Sequence, residues 1–192
     1  MYESTEELQG LQQLLDRSFE TASEHLRSIM TPPRRLDARR LVDELTGICV
    51  LNLATVTRQG EPRISAVDGH LLHGRWNFAT AGSSPKARQL RAHPGVSAAY
   101  TPRDGFGVFC HGTAHSLERG SAAFDELWEH WVATYGQSPD SLGDDIAYLQ
   151  IEPSWLVAFA MTEQEMAEIE ADRAARTDRG RAESTGVEQS LE

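Results

Sequence analysis

The sequence predicts a mainly β domain with flanking helices, of the α+β class, and three observations carry that expectation. Short β-rich runs alternate with turn residues between Ile48 and Leu117. Helical spacing is confined to the two ends of the chain and two inserts. Few long crossovers separate the strands, so the sheet is expected to be mainly antiparallel and closed on itself.

Leu8, Leu11, Leu15, Phe19, Ala22, Leu26 and Ile29 recur at three- and four-residue steps, which predicts one helix of about six turns ended by Pro32-Pro33. Asp37 suits the N-cap of a shorter helix reaching Leu45, with Gly47 at its C-terminal cap. The run 48–56 is β-rich, and Arg58-Gln59-Gly60-Glu61 is turn chemistry leading into a second strand at 63–67, a hairpin. Asp68-Gly69 and His73-Gly74 read as breaks before a strand at 75–80, with Trp76 and Phe78 on one face and Arg75 and Asn77 on the other. Ser84-Pro85 opens a helix, because Ser caps well and Pro loses nothing at the first helical position; His93-Pro94 closes it.

Two further strands, 96–100 and 107–117, flank the turn Pro102-Arg103-Asp104-Gly105. Over 121–135, Phe124, Leu127, Trp128, Trp131 and Tyr135 share a helix face, expected to be core or subunit interface. After a loop at 136–145, the β-like segments 146–151 and 155–161 are separated by Glu152-Pro153. Thr162-Glu163-Gln164-Glu165 is a capping box opening a last helix, expected to fade near Asp178 into a polar tail. The expected organisation is an N-terminal helix (1–35), a barrel domain (36–161) and a C-terminal helix with tail (162–192).

With 192 residues and 40% hydrophobic content, one domain can bury a core without staples. Cys49 and Cys110 lie in apolar runs and are expected to be buried, reduced and chemically idle. No run approaches the roughly 20 apolar residues of a membrane span, and the N-terminus lacks a basic region followed by a hydrophobic one, so a cytoplasmic protein is expected. A net charge of −11 argues against a nucleic-acid surface. The charge is uneven, however: residues 31–120 carry +5 and the remainder −16, so the middle suits an anion. Neither a Gly-x-Ser-x-Gly elbow nor a Gly-x-Gly-x-x-Gly loop occurs.

The stretch 80–90 is the most informative. A strand end, a small-residue turn and a capped helix place unpaired N–H groups beside the hydroxyls of Thr80, Ser83 and Ser84 and the ammonium of Lys86, the chain's one lysine; a phosphate wants that donor set. Arg63 and Ser65, two apart on a strand, leave one face together. His111 and His115 also share a strand face, but no Cys, Asp or Glu stands beside them at metal-ligand spacing.

Leu53-Ala54-Thr55-Val56, Gly60-Glu61-Pro62-Arg63-Ile64-Ser65, Phe78-Ala79-Thr80, Ser84-Pro85-Lys86-Ala87-Arg88-Gln89-Leu90, His93-Pro94 and Gly112-Thr113-Ala114 stand in an order and spacing that resembles the pyridoxamine 5′-phosphate oxidase-like flavin-binding split β-barrels. The resemblance covers residues 40–117. It implies a six- to seven-stranded antiparallel split β-barrel and a homodimer with FMN at the subunit interface. By the same resemblance, Arg63, Ser65, Ser84 and Lys86 hold the cofactor phosphate. Ile64 and Ala66 lend backbone groups to the ring, Thr80 lies beneath it, and Gln89 approaches the phosphate or the partner subunit.

The implied activity is a flavin-dependent oxidoreductase acting on a small molecule. Relatives of this fold also use the deazaflavin coenzyme F-420, whose anionic tail would draw on Arg34, Arg35, Arg39, Arg40 and Arg88, or haem, which would make the protein a non-enzymatic carrier or sensor. One departure matters: oxidases of pyridoxamine phosphate carry a C-terminal Trp- and Arg-containing substrate motif, whereas this chain ends in a Glu-rich helix and tail.

Overall fold

The computed structural model describes residues 2–188, with side chains for all of these except Leu142 and 178–188. Six strands, β1 (Cys49–Val56), β2 (Pro62–Leu72), β3 (Arg75–Ala81), β4 (Gly95–Tyr100), β5 (Phe106–Ser116) and β6 (Ile146–Ala160), close an antiparallel barrel in the order β1-β2-β3-β6-β5-β4. Around it lie helices α1 (Thr5–Glu20), α2 (Glu24–Ile29), α3 (Ala38–Glu44), α4 (Pro85–Ala92), α5 (Ala122–Tyr135) and α6 (Glu163–Glu188). The predicted α+β split barrel is the observed fold. Among the described residues, no helix is long and apolar enough to cross a membrane.

Alternation along the strands sets what fills the barrel. Cys49, Leu51 and Leu53 of β1 point inward with no exposed surface, and Phe78, Val108, Cys110, Ile151 and Leu156 join them. Each such side chain contributes about 1.5–3 kcal/mol by leaving water. α1 and α3 extend this core from outside through Leu11, Leu14, Leu15, Leu41 and Val42. The apolar stripe of α1 is thus used within the chain, and Ser18 locks it to β6: its Oγ accepts from the Leu156 N–H at 2.9 Å and its carbonyl from Trp155 Nε1 at 3.1 Å. A second, smaller cluster forms where α5 lies on the outer face of the sheet, joining Phe124, Leu127 and Trp131 to Leu72 and Tyr148.

Four local expectations are corrected. The N-terminal helix is two helices, because the Thr21 hydroxyl turns back onto the Arg17 and Ser18 carbonyls and Ser23 caps α2 through the Leu26 N–H; Ser and Thr compete with the helix for backbone partners. The break at Asp68-Gly69 is instead the middle of β2, and the glycine answers to packing: a Cβ there would stand 2.5 Å from Leu51 Cδ1. The real turn is His73-Gly74, where both residues have positive φ, 53° and 69°, as a two-residue hairpin demands. Glu152-Pro153 does not split the last strand; the β5–β6 register slips there, passing Ser154 over, and Pro is tolerated at such a bulge. Finally, α6 does not fade near Asp178 but runs to Glu188.

Candidate functional site

The site is built from four segments that meet outside the barrel. Even-numbered residues of β2 face outward, so Ala66, Asp68 and His70 look toward α5, while Ser65 and Val67 look inward beside Leu53 and Leu51. Ala79 and Thr80 at the end of β3 continue the outer surface. Between this surface and α5 lies a cavity of about 400 Å³, walled by Ala66, Asp68, Ala79, Thr80, Trp131 and Tyr135, with Lys86 at one side and residues 137–139 closing another.

Lys86 reaches the cavity because α4 begins where the sequence places it. Ser84 Oγ accepts from the Ala87 N–H at 3.2 Å, and Pro85 fills the first turn. The Lys86 ammonium then donates to Thr80 Oγ1 at 3.4 Å, and the Thr80 hydroxyl to Ser84 Oγ at 3.3 Å. Thr80, Ser84 and Lys86 are therefore one cluster, with a cation at the edge of an otherwise apolar and aromatic space. The turn before it is held from behind by Asp145, whose carboxylate takes the Ser83 N–H at 2.8 Å and whose carbonyl takes the Gly82 N–H at 2.8 Å. A Cβ at Gly82 would come within 2.3 Å of that carboxylate, so a larger residue there would displace Asp145 from the turn it holds.

The other predicted residues lie around this cluster rather than in it. Gln89 accepts the Thr55 hydroxyl at 2.6 Å and faces a second, open cleft shared with Arg58, Arg88 and Arg91. Arg63 is exposed and pairs with Glu61 at 2.6 Å, and Ile64 is 76% exposed. Ser65 Oγ is buried with no hydrogen-bond partner among the described residues. Of the arginines expected near an anionic tail, Arg88 lines the open cleft. Arg34 is paired with Glu165 at 2.9 Å and Arg35 covers the Phe19 ring at 4.3 Å, contacts that tie the segment between α2 and α3 to α6 and to α1. His111 bonds Ser97 Oγ at 2.8 Å and stacks on Trp155, and His115 is exposed.

Sequence reasoning missed the far wall. Trp131 is core, as expected, yet its helix also supplies Tyr135 to the cavity and His130 behind it. Tyr135 Oη lies 2.9 Å from His70 Nε2, His70 Nδ1 lies 3.0 Å from His130 Nε2, and His130 Nδ1 lies 3.0 Å from Tyr2 Oη. Burial, helped by the neighbouring His130, pushes the His70 imidazole down to about 4. Burial also pushes the Tyr135 phenol up to about 12, with the Asp68 carboxylate adding to it. His70 sits just after a dipeptide read as a turn, and its partners lie on an element 60 residues away, so no local pattern could show the contact.

Residues 39–170 match the family described as pyridoxamine 5′-phosphate oxidase. No curated protein matches the sequence. Among solved structures, the haem storage protein HutZ from Vibrio cholerae is similar at 20% identity and a TM-score of 0.55, over 63% of this chain and 91% of that one. A conserved hypothetical protein from Mycobacterium tuberculosis is similar at 19% identity and a TM-score of 0.57, over 68% and 88%. A FAD-binding protein from Mesorhizobium loti is similar at 18% identity and a TM-score of 0.53, over 68% and 97%. These likenesses establish a shared barrel.

Proposed function

Since the chain belongs to the pyridoxamine 5′-phosphate oxidase family, we propose that it is an oxidoreductase that holds FMN in the cavity between β2, β3 and α5 and acts on a small molecule there. One observation carries this reading: Ala66, Thr80 and Lys86, expected at a flavin from three separate segments, converge on one cavity with Trp131 and Tyr135 as its far wall. Its volume and its mostly apolar lining with a few placed polar groups suit a ring-shaped ligand. The donor set fits the group as well. Lys86 offers a charge to a phosphate, and the Thr80 and Ser84 hydroxyls stand beside it.

When bound, FMN would supply the hydride or electron chemistry, and the chain supplies position and electrostatics. Thr80 and Ser84 orient the Lys86 ammonium, and Trp131 keeps water from the inner wall. A deazaflavin is the second reading, favoured by the open cleft that Arg88 and Arg91, on the same helix as Lys86, share with Arg58 of the β1–β2 turn, which would take an anionic tail. A haem carrier, after the manner that the name of the Vibrio relative suggests, is the third.

The protein acts as a homodimer on this proposal. Val50, Val56 and Ile64 are exposed on the outer face of β1 and β2, where Ala54 pairs with Ile64 and Asn52 with Ala66. A second copy would cover this apolar strip and bring its own residues to the flank of the cavity. Cys49 and Cys110 are free and buried, which suits a reducing cytoplasm. The deciding experiment is the visible spectrum of the purified protein, followed by titration with FMN and with the deazaflavin at equal salt. Saturable FMN binding in the micromolar range or tighter supports the proposal; preference for the deazaflavin or a Soret band moves it to an alternative, and no binding removes it.

A further inference from the structure

Behind the cavity wall, four side chains form an unbroken file of hydrogen bonds that ends at an exposed hydroxyl. Tyr135 stands in the wall itself, and its hydroxyl points past Asp68, with Oη 3.5 Å from Asp68 Oδ2, at the long limit of a hydrogen bond. From Tyr135 the file passes through His70 and His130 to Tyr2, which is 46% exposed. His70 itself is 1% exposed and Tyr135 is 39% exposed, so the file joins two solvent-facing hydroxyls through a buried ring, and it is the path left to Tyr135 once a ligand fills the cavity.

Two opposite orders of donors and acceptors satisfy the file, and the Asp68 carboxylate selects between them. A neutral imidazole has one N–H and one bare nitrogen. Because the Tyr135 hydroxyl donates toward the Asp68 carboxylate, its oxygen receives the His70 Nε2–H. His70 Nδ1 is then bare and receives the His130 Nε2–H, and His130 Nδ1 is bare and receives the Tyr2 hydroxyl. Every donor points toward the cavity, and the one carboxylate, at its end, sets the direction. The groups facing His70 are Asp68 on its own strand, His130 and Tyr135 on α5, and Tyr2 behind His130; Glu3 accepts instead from the Tyr2 and Gly74 N–H groups.

We propose that Tyr135, His70, His130 and Tyr2 are a proton wire that delivers one proton from the surface to a substrate anion in the cavity. The inference rests on the oxidoreductase reading. A substrate that has accepted a hydride carries one extra negative charge on oxygen or carbon, and one proton completes its reduction. The Tyr135 O–H bond breaks as the new bond to the substrate forms. In the same shift, the His70 Nε2 proton passes to Tyr135 Oη, the His130 Nε2 proton to His70 Nδ1, the Tyr2 proton to His130 Nδ1, and water restores Tyr2. Both rings end neutral in the opposite tautomer and return before the next turnover. Tyr135 is the residue that touches substrate; the histidines act through it. Their burial, which keeps both rings uncharged near neutral pH, lets the wire run without a trapped imidazolium.

The test has two arms. Nitrogen-15 spectra of the imidazoles in the cofactor-free protein are expected to show Nε2–H tautomers at both His70 and His130 near neutral pH; an Nδ1–H on His70 reverses the file and overturns the proposal. The second arm uses the FMN-loaded protein with NADH as the reductant and menadione as hydride acceptor. Tyr135→Phe is expected to lower kcat on the order of a hundredfold with KM within about twofold, the range for a lost general acid. His70→Gln keeps an N–H for Tyr135 but cannot pass a proton, so a purely structural role predicts rescue and the wire predicts none. His130→Gln, at a less buried position, gives the same comparison if His70→Gln does not fold. Full rate in either Gln variant with FMN bound overturns the wire. Failure of the wild type to bind FMN or reduce menadione counts against the oxidoreductase reading, and the ring tautomers then decide the file on their own.

Discussion

Lys86 sits where a single charge has most effect, at the start of α4 and in the cavity wall, held by Thr80. Lys86→Ala is expected to weaken FMN binding by about 1.5–3 kcal/mol, the loss of one charge-assisted contact, while thermal melting moves little. Fluorescence titration against the wild type checks it, and unchanged affinity would remove the ammonium from the site. This residue was legible because its type, its uniqueness and the Ser84 cap all appear within a few positions. Ser65 was legible only as a donor; that it turns inward, away from the Ala66 cavity face, follows from β2's pairing with β1, which a short motif does not contain.

His70 carries a separate consequence at this scale. Its imidazole is held near 4 in the folded chain against about 6.5 unfolded, so between those values the unfolded chain takes up a proton that the folded chain refuses. Stability therefore falls as pH drops from about 6.5 to about 4. Thermal melts across that window are expected to show the fall, and His70→Gln, which has no proton to accept, is expected to flatten it in part. His130 is lowered in the same direction and keeps the remainder.

Elements that rest on local chemistry were readable: the Asp37 and Ser84 caps, the Thr162–Glu165 box and the β-rich run 48–56 all stand where side-chain type alone puts them. The ones misread turned on partners. Gly69 looks like a turn and is a gap for Leu51; Pro153 looks like a stop and rides a bulge. Gly112 is the counterpart of that bulge, since a Cβ there would stand 2.2 Å from the Glu152 carbonyl oxygen. Gly112→Ala is expected to push β5 and β6 apart and cost on the order of 3 kcal/mol, measured by denaturant titration. A loss within about half a kcal/mol would show that the strands yield freely there.

For the whole molecule, the closed antiparallel sheet was predictable from strand spacing, whereas the cavity was not. It arises because α5, inserted between β5 and β6, folds back over the outer face of β2 and β3, and this return path has no signature in any one segment. The expected second copy belongs to the same scale. Ile64→Glu places a charge in the middle of the exposed strip and is expected to give a monomer by sedimentation, with FMN affinity reduced about tenfold or more, as for a central interface residue. A dimer that survives the change would mean the copies meet elsewhere.

The ring of strands is not equally strong all the way round. β5 and β6 are paired from Phe106 against Ala160 to Ser116 against Leu149, while β1 meets β4 through Asn52, Leu53 and Ala54 alone among the described residues. Few backbone bonds hold this join, so parting it costs less than parting β5 from β6. The backbone amides at its two sides are expected to trade their protons for deuterons well before those along β5, and the molecule to breathe as a curled ribbon hinged on β6.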